Sequence, residues 1–190
     1  MSRRWWILLA AGAPVLGLVA LLAWASVQSG GRPASFGINR QLGEVAVEAR
    51  PAEEFILPLL DGSSISLAEL RGNVVVLDFW ASWCPPCQEE APALAKVYRE
   101  YAGREVQFVG VDIWDRPEDA QKFTEKYGVT YPSGVDDRGR IAINYGVKGI
   151  PEKFFIDRGG VLRRKFVGPM DETTLRRVLD DLLAGGRKFR

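Results

Sequence analysis

With 190 residues, the chain is long enough for one domain and additional segments. Its 25 Lys and Arg residues nearly balance its 24 Asp and Glu residues, for a formal net charge of +1, and the sequence has no basic stripe of the kind that binds nucleic acid. It has two cysteines and no histidine, which argues against a structural zinc site, because such a site needs about four Cys or His ligands.

The first predicted element is a membrane-spanning segment. Residues 5–25 contain no charged side chain and have about the length that crosses a bilayer as one helix. Arg3 and Arg4 precede this segment, so the positive-inside rule predicts a cytoplasmic N-terminus, a single pass through the cell membrane and an extracytoplasmic remainder. Ala23-Trp24-Ala25 also fits a signal-peptidase site, so a cleaved signal sequence is the alternative to the membrane anchor that we favour for residues 1–26.

Residues 27–50 are predicted to be a flexible linker, because they contain Ser29-Gly30-Gly31-Arg32-Pro33 and show little periodicity. The domain then extends over residues 51–190. Its predicted elements are an edge strand and turn (55–62), a helical turn (66–72), a buried strand (73–80), a helix kinked at Pro92 (86–101), a second buried strand (106–112), two helices (117–127 and 139–145), a hairpin (153–157 and 161–167) and an amphipathic helix (171–183). Strands that alternate with helices and end in a hairpin predict an α/β sandwich with a central mixed sheet.

Both cysteines lie in Trp83-Cys84-Pro85-Pro86-Cys87, between the first buried strand and the helix that follows it. Two thiols at this spacing can close and reopen a small disulfide ring. Such a ring constrains little of the unfolded chain, so it suits redox chemistry better than a structural disulfide, which is the alternative. A haem attachment motif would need His directly after the second cysteine, where Gln88 stands.

The two cysteines are predicted to have different roles. Cys84 precedes the helix, where free N–H groups and the helix dipole favour a thiolate, so we expect it to be the accessible, attacking cysteine and Cys87 to be the shielded, resolving one. Pro85 and Pro86 have no N–H, which leaves the N–H of Cys87 as the main local donor to the Cys84 thiolate. A less stabilised thiolate makes a less oxidising couple and favours a reductase; alternatively, the prolines only start the helix.

Two acidic residues and one aromatic residue flank the cysteines. Asp78 lies in the apolar strand, where a buried carboxyl with a raised pKa could relay the proton of Cys87; a solvated position at the strand end is the alternative. Glu90 is either a second acid that tunes the thiols or a charge that compensates the helix dipole. Trp83 is expected to contact substrate, because it is next to Cys84.

Three segments of the chain carry a resemblance to known proteins: Phe55-Ile56-Leu57-Pro58 with Leu60-Asp61-Gly62; Phe79-Trp80-Ala81-Ser82-Trp83-Cys84-Pro85-Pro86-Cys87 with Glu90 and Pro92; and Gly146-Val147-Lys148-Gly149-Ile150-Pro151-Glu152 with Phe155-Ile156-Asp157. Over roughly residues 51–186, this arrangement resembles the thioredoxin fold. Within that superfamily the chain is similar to the membrane-anchored thiol–disulfide reductases of the TlpA, ResA and DsbE (CcmG) group, although Asp78 stands where that group often carries Asn. The resemblance implies that Pro151 is a cis-proline and that the Ile150 backbone can pair with an extended substrate peptide.

The resemblance also implies a function. The protein would receive electrons from a membrane thiol reductant of the DsbD/CcdA type and pass them to a protein disulfide, such as the CxxCH pair of apocytochrome c or a maturation factor of that protein. It would need no metal or organic cofactor beyond the redox-active Cys84–Cys87 pair. Two alternatives stay open: an oxidase or isomerase that uses the same residues in the opposite direction, and a non-catalytic binding module. A peroxidase is disfavoured, because no Thr-x-x-Cys motif occurs.

Overall fold

The computed structural model describes residue 14, residues 16–21, residue 24, residues 37–39 and residues 43–185. It divides the chain into two units, residues 1–36 and 37–190. In the first unit, the described residues are helical and exposed. Within the described part of the chain, no helix is both long enough and apolar enough to cross a membrane. Most of the predicted membrane segment lies outside the described residues, so the anchor stays a prediction.

The second unit contains the strands and helices of an α/β domain. The strands are β1 (Gly37–Ile38), β2 (Gly43–Val45), β3 (Arg50–Pro51), β4 (Ile56–Pro58), β5 (Ser64–Ser66), β6 (Val74–Trp80), β7 (Val106–Asp112), β8 (Ser133–Val135), β9 (Gly149–Ile150), β10 (Glu152–Ile156) and β11 (Val161–Val167). The helices are α1 (Pro85–Glu100), α2 (Pro117–Tyr127), α3 (Arg140–Tyr145) and α4 (Glu172–Leu183), and a 3-10 turn spans Ala68–Leu70.

The central sheet is mixed, with the strand order β2-β11-β10-β6-β7-β8, and β3 pairs with the other half of β11. β6, β7 and β8 are parallel, whereas β10 runs antiparallel to both β6 and β11. Every residue of β6 is buried, as expected for an apolar strand in the middle of a sheet that is covered on both faces. Outside this sheet, β4 and β5 form a hairpin and β1 pairs with β9 in parallel.

Helices α1 and α4 make polar contacts with each other at their rims. Helices α1 and α4 are joined by ion pairs of Lys96 with Glu172 and of Arg176 with Glu100. The Asp171 side chain caps α4 by accepting the Thr174 N–H at 2.8 Å. Beneath these contacts, the apolar stripe of α4 predicted from the sequence is buried; it comprises Leu175, Val178, Leu179 and Leu182.

The structure corrects the linker prediction. Within residues 27–50, Gly37–Ile38 pairs with β9, and both Gly43–Val45 and Arg50 pair with β11, so these positions are strands of the second unit. The sequence analysis also missed β8. All of these strands have two or three residues, too few to show the alternation of apolar and polar side chains that identifies a strand. The predicted long strands, helices and hairpin are confirmed within one or two residues at their ends.

Candidate active site

The two cysteines form a disulfide at the start of α1. Strand β6 ends at Trp80, and the following loop leads to Cys84, the N-cap of α1, whose Cα lies 5.3 Å from that of Cys87. Pro85 and Pro86 occupy the first helical positions and have no N–H. The N–H of Cys87 donates to the Cys84 sulfur at 3.3 Å, which confirms the predicted local donor.

The accessibility of Cys84 differs from our prediction. Cys84 is 0% exposed and Cys87 1% exposed, so neither sulfur is open to solvent in this disulfide form. Cys84 has the extended backbone of an N-cap (φ −87°, ψ 108°), and its side chain turns onto the helix start and bonds to Cys87 instead of facing outward. The exposed residues beside the disulfide are Trp83 and Pro85, whereas Pro86 is buried.

An aromatic pair and a carboxylate define the loop before the disulfide. Trp83, 42% exposed, stacks on Trp114 with 6.4 Å between the ring centroids. Asp115 accepts hydrogen bonds from the Ser82 N–H at 2.5 Å and from the Ser82 hydroxyl at 3.0 Å. Gln88 donates to the Ser82 carbonyl at 2.7 Å, so α1 and the segment after β7 both hold this loop. Sequence reasoning missed Trp114 and Asp115, because nothing near them in the sequence points to the cysteines.

The Ile150–Pro151 peptide bond is cis, as the resemblance implied. Both residues are buried and connect β9 to β10. Because β10 is antiparallel to β6 and pairs Glu152 with Phe79, Pro151 lies at the end of β6 from which the chain continues to Cys84. The structure thus brings the cysteine segment and the proline segment to the same end of the sheet, although they are far apart in the sequence.

A cluster of buried charged side chains lies on α1 and the central strands. Asp78 is 3% exposed, Glu90 5% and Lys153 0%. The Lys153 ammonium contacts Glu90 Oε1 and lies 3.9 Å from Asp78 Oδ1. Glu90 Oε2 also accepts the N–H of Met170 at 2.7 Å, and the Tyr131 hydroxyl donates to Asp78 Oδ2 at 3.1 Å. Two carboxyl groups therefore share one ammonium group.

Burial governs protonation in this cluster. Burial raises the pKa of Asp78, and the charge of Lys153 and the hydrogen bond from Tyr131 oppose that rise. Burial also raises the pKa of Glu90, again opposed mainly by Lys153. Asp78 is therefore not a solvated residue at a strand end. Glu90 is buried as well, and its role, either tuning the thiols or compensating the helix dipole, stays a prediction.

A third buried carboxyl group, that of Asp112, lies on β7, the strand next to β6. Asp112 is 0% exposed, and neither of its oxygens has a hydrogen-bond partner among the described residues. Burial, followed by the nearby charge of Asp115, raises the pKa of Asp112 to about 9. In residues 37–39 and 43–185, no group of three or more Cys, His, Asp or Glu side chains is arranged to hold a metal ion.

The sequence and the fold of the chain have counterparts among known proteins. The AhpC/TSA family matches residues 49–165. The thiol-disulfide oxidoreductase ResA of Geobacillus thermodenitrificans is 30% identical over 131 residues, which are 69% of this chain and 75% of that protein. Among solved structures, a thiol:disulfide interchange protein DsbE from Chlorobium tepidum is 33% identical, with a TM-score of 0.68, covering 73% of this chain and 99% of that one. A secreted Mycobacterium tuberculosis disulfide oxidoreductase homologous to Escherichia coli DsbE is 30% identical, with a TM-score of 0.62, covering 67% and 96%.

The chain belongs to the AhpC/TSA family. Within it, the chain is a thiol-disulfide oxidoreductase of the ResA and DsbE type. The predicted thioredoxin-like fold and the predicted enzyme class are both confirmed. The disulfide joins Cys84 and Cys87, the two residues predicted to form the redox pair.

Sequence reasoning also missed three buried residues, which are Lys153, Tyr131 and Asp112. Lys153 carried a local signal, because a lysine that directly precedes Phe154-Phe155-Ile156 in a strand has an apolar environment on that strand. Tyr131 carried none, since its role comes from its contact with Asp78, 53 positions away. Asp112 lies at the end of an apolar strand, as Asp78 lies within one. The argument that a carboxyl group in an apolar strand is buried and has a raised pKa applies to both residues and could have identified Asp112.

Proposed function

We propose that the protein reduces protein disulfides on the extracytoplasmic side of a membrane. The proposed direction of electron flow rests on one observation, the hydrogen bond from the Cys87 N–H to the Cys84 sulfur. Pro85 and Pro86 have no N–H, so this is the remaining local donor to that sulfur. A Cys84 thiolate with few donors is weakly stabilised, and a weakly stabilised reduced form makes a poor oxidant and a good reductant.

The reaction is a thiol–disulfide exchange in two steps. The Cys84 thiolate attacks one sulfur of the substrate disulfide, a mixed disulfide forms, and the other substrate sulfur leaves as a thiolate that takes up a proton. Cys87 then loses its proton and attacks the Cys84 sulfur, which releases the second substrate thiolate. The substrate gains two electrons and two protons, and the enzyme is left with the disulfide between Cys84 and Cys87.

The buried charged cluster supplies a group to take the proton of Cys87. Both oxygens of Glu90 accept N–H groups, one of them from Lys153, which is the environment of an ionised carboxylate. Asp78 accepts one hydrogen bond, from Tyr131, and its Oδ1 has no hydrogen-bond partner among the described residues. We therefore infer that Glu90 stays ionised and that Asp78, ionised before the resolving step, accepts the proton that Cys87 loses.

The proposed partners are those that the family resemblance of the sequence implies. A reductase in an oxidising compartment must be reduced again after each turnover, and a membrane thiol reductant of the DsbD/CcdA type fits that need. The proposed substrate is a protein disulfide, such as that of apocytochrome c or a factor in its maturation.

A C-terminal alkaline phosphatase fusion tests the topology: it should be active if residues 1–26 place the domain outside the cytoplasm, and inactivity would contradict this.

A measurement of the redox potential tests the direction. In a glutathione equilibrium the couple should be clearly more reducing than the roughly −120 mV of DsbA. Pro86→Ala restores an N–H next to Cys84 and should make the couple about 20 mV more oxidising, which corresponds to one hydrogen bond of about 1 kcal/mol. Pro92→Ala, in the interior of the same helix, is the matched control and should leave the potential unchanged. A potential near that of DsbA would favour the oxidase instead.

Trapping experiments address the substrate and the remaining alternative. Cys87→Ala removes the resolving thiol, so the mixed disulfide on Cys84 should accumulate and hold the substrate protein for identification. A Cys84→Ser, Cys87→Ser double variant should lose activity in cells. Retention of function by that variant would favour a non-catalytic binding module.

A further inference from the structure

Residues 37–39 pair with the strand that precedes the cis-proline. The register is parallel, with Gly37 opposite Gly149 and Ile38 opposite Ile150. The N–H of Asn39 donates to the Ile150 carbonyl at 2.5 Å, which extends the pairing by one residue. Among the described residues β9 has no other strand partner, so residues 37–39 occupy the backbone edge of Gly149–Ile150.

The side chain of Asn39 adds contacts beyond the backbone. Its amide nitrogen lies 3.4 Å from the Pro151 carbonyl oxygen and 3.4 Å from Glu152 Oε1. Glu152 is 1% exposed; its Oε1 also accepts the Lys148 N–H at 3.3 Å, and its Oε2 pairs with Lys165 at 2.7 Å. The buried Glu152 carboxylate, at the start of β10, thus faces the side-chain amide of Asn39.

The paired edge lies at the catalytic end of the sheet. Glu152 is opposite Phe79 in the β6–β10 register, so Pro151 falls opposite Trp80, the last residue of β6, and Ile150 lies just past it, where the loop to Cys84 begins. An extended polypeptide whose disulfide is attacked by Cys84 needs a backbone edge close to that sulfur. In this structure the chain's own residues 37–39 already occupy such an edge.

We propose that residues 37–39 hold the position that a substrate segment takes, and that substrate binds by displacing them. This inference rests on the proposed function and specifies its substrate class. The substrate is an extended peptide segment that runs parallel to Gly149–Ile150 and places an N–H-bearing side chain, an amide or a cation, against the Glu152 carboxylate. The apparent affinity for substrate is lowered by the fraction of molecules in which residues 37–39 are paired.

Substitutions at Asn39 in the full-length chain test the displacement. Asn39→Pro removes the N–H that binds the Ile150 carbonyl as well as the side-chain amide, while Asn39→Ala removes the side-chain amide alone. Glu48→Pro is the matched control, because Glu48 is exposed and lies outside the strands. Single-turnover stopped-flow follows reduction of an internally disulfide-bonded peptide of about ten residues that carries Asn or Lys next to one cysteine. Hydroxyethyl disulfide, which is too small to pair with a strand, serves as the second substrate.

The two substrates separate this inference from the proposed function. The half-saturating peptide concentration should fall about fivefold in Asn39→Pro, the change expected for one hydrogen bond, less in Asn39→Ala, and not at all in Glu48→Pro. Rates with hydroxyethyl disulfide should be equal in all four proteins. An unchanged or higher half-saturating concentration in Asn39→Pro overturns the displacement. Failure of the unsubstituted protein to reduce hydroxyethyl disulfide overturns the proposed function instead.

Amide hydrogen exchange gives a test that needs no substitution in residues 37–39. In the free protein the Asn39 amide should be protected by its bond to the Ile150 carbonyl. In the mixed disulfide between the Cys87→Ala variant and the same peptide, that protection should be lost while the amides of β6 stay protected. Continued protection of Asn39 in the mixed disulfide would show that the substrate binds without displacing it.

Discussion

Asp78 and Asp112 occupy similar positions in the sheet but have different charged and hydrogen-bonding groups near them. They lie on adjacent parallel strands, and the register places both on the same face of the sheet, because Asp78 is opposite Gly110, two residues before Asp112. Both are buried, and burial raises the pKa of both. Asp78 has an ammonium and a hydroxyl within reach, whereas the charges that act on Asp112 come from Asp115 and Asp119.

The difference shows that burial alone does not make a useful proton carrier. Burial and the charge of Asp115 raise the pKa of Asp112 to about 9, which favours its protonated form near neutral pH, so we do not expect Asp112 to accept the proton of Cys87. At Asp78, the charge of Lys153 and the hydrogen bond from Tyr131 oppose the rise in pKa that burial causes, an opposition that Asp112 lacks. The following three predictions test this contrast, from the largest expected effect to the smallest.

Lys153→Met removes the cation from the buried cluster. Asp78 and Glu90 then share a buried site without a counter-charge, and the free energy of unfolding should fall by about 3–5 kcal/mol at neutral pH. The loss should shrink below the ordinary pKa values of the two carboxyl groups, 3.8 and 4.5, because both are then protonated in the folded and unfolded chains. Urea denaturation at pH 3 and pH 8 measures this.

The matched control for that substitution is Lys96→Met. Lys96 pairs with Glu172 on the surface and is 53% exposed, so its removal should change stability little at either pH. Equal effects of the two substitutions would show that Lys153 is not needed to balance the buried carboxyl groups.

Asp112→Asn should stabilise the protein, in contrast to Lys153→Met. The pKa of Asp112 is raised from an ordinary value of 3.8 to about 9, so its ionisation opposes folding at every pH above 3.8. The gain should be absent below pH 3.8, reach about 4 kcal/mol near neutral pH and keep growing until pH 9. Denaturation at pH 3, 7 and 9 provides the measurement. A difference that does not vary with pH would contradict the raised pKa.

Asp78→Asn, compared with Asp112→Asn, isolates the catalytic contribution. Both substitutions neutralise a buried aspartate with little change in size, and both should raise stability above the unfolded pKa. The Asp78 variant alone should resolve the mixed disulfide more slowly, by roughly 10-fold at neutral pH, because the acceptor for the Cys87 proton is lost. Stopped-flow reduction of a model disulfide compares the two. Equal resolution rates would remove Asp78 from the mechanism.

Some residues of the active site are close together in the sequence and could be predicted from it, whereas the others are brought to the site by the register of the strands. Cys84, Cys87 and Glu90 lie within seven consecutive residues, and Asp78 is six positions earlier, so a strand followed by a helix is enough to relate them. Lys153 faces Asp78 only because β10 pairs with β6 at a particular register, across 75 positions of sequence. Register is set by how whole strands pack, which a local pattern does not specify.

The same contrast holds for the fold: elements with a clear local pattern were predicted, and elements that depend on a distant partner strand were not. The long apolar strands and amphipathic helices were predicted from their periodicity. β1, β2, β3 and β8 were not, because each has only two or three residues and exists through its partner strand. The accessibility of Cys84 was predicted from its place before a helix, and the disulfide, which turns its side chain toward Cys87, buries it instead.

The pairing of β2 and β3 with β11 matters for how a shorter form of the protein would behave in solution. These two segments cover the outer backbone edge of β11, whose other edge is bonded to β10. A chain that started at residue 51, the boundary predicted from sequence, would lose β2 and Arg50 and leave that edge open. Open edges promote association between molecules through strand pairing. A soluble version cut before Gly37 would keep the edge covered and should remain monomeric at concentrations at which the shorter one aggregates.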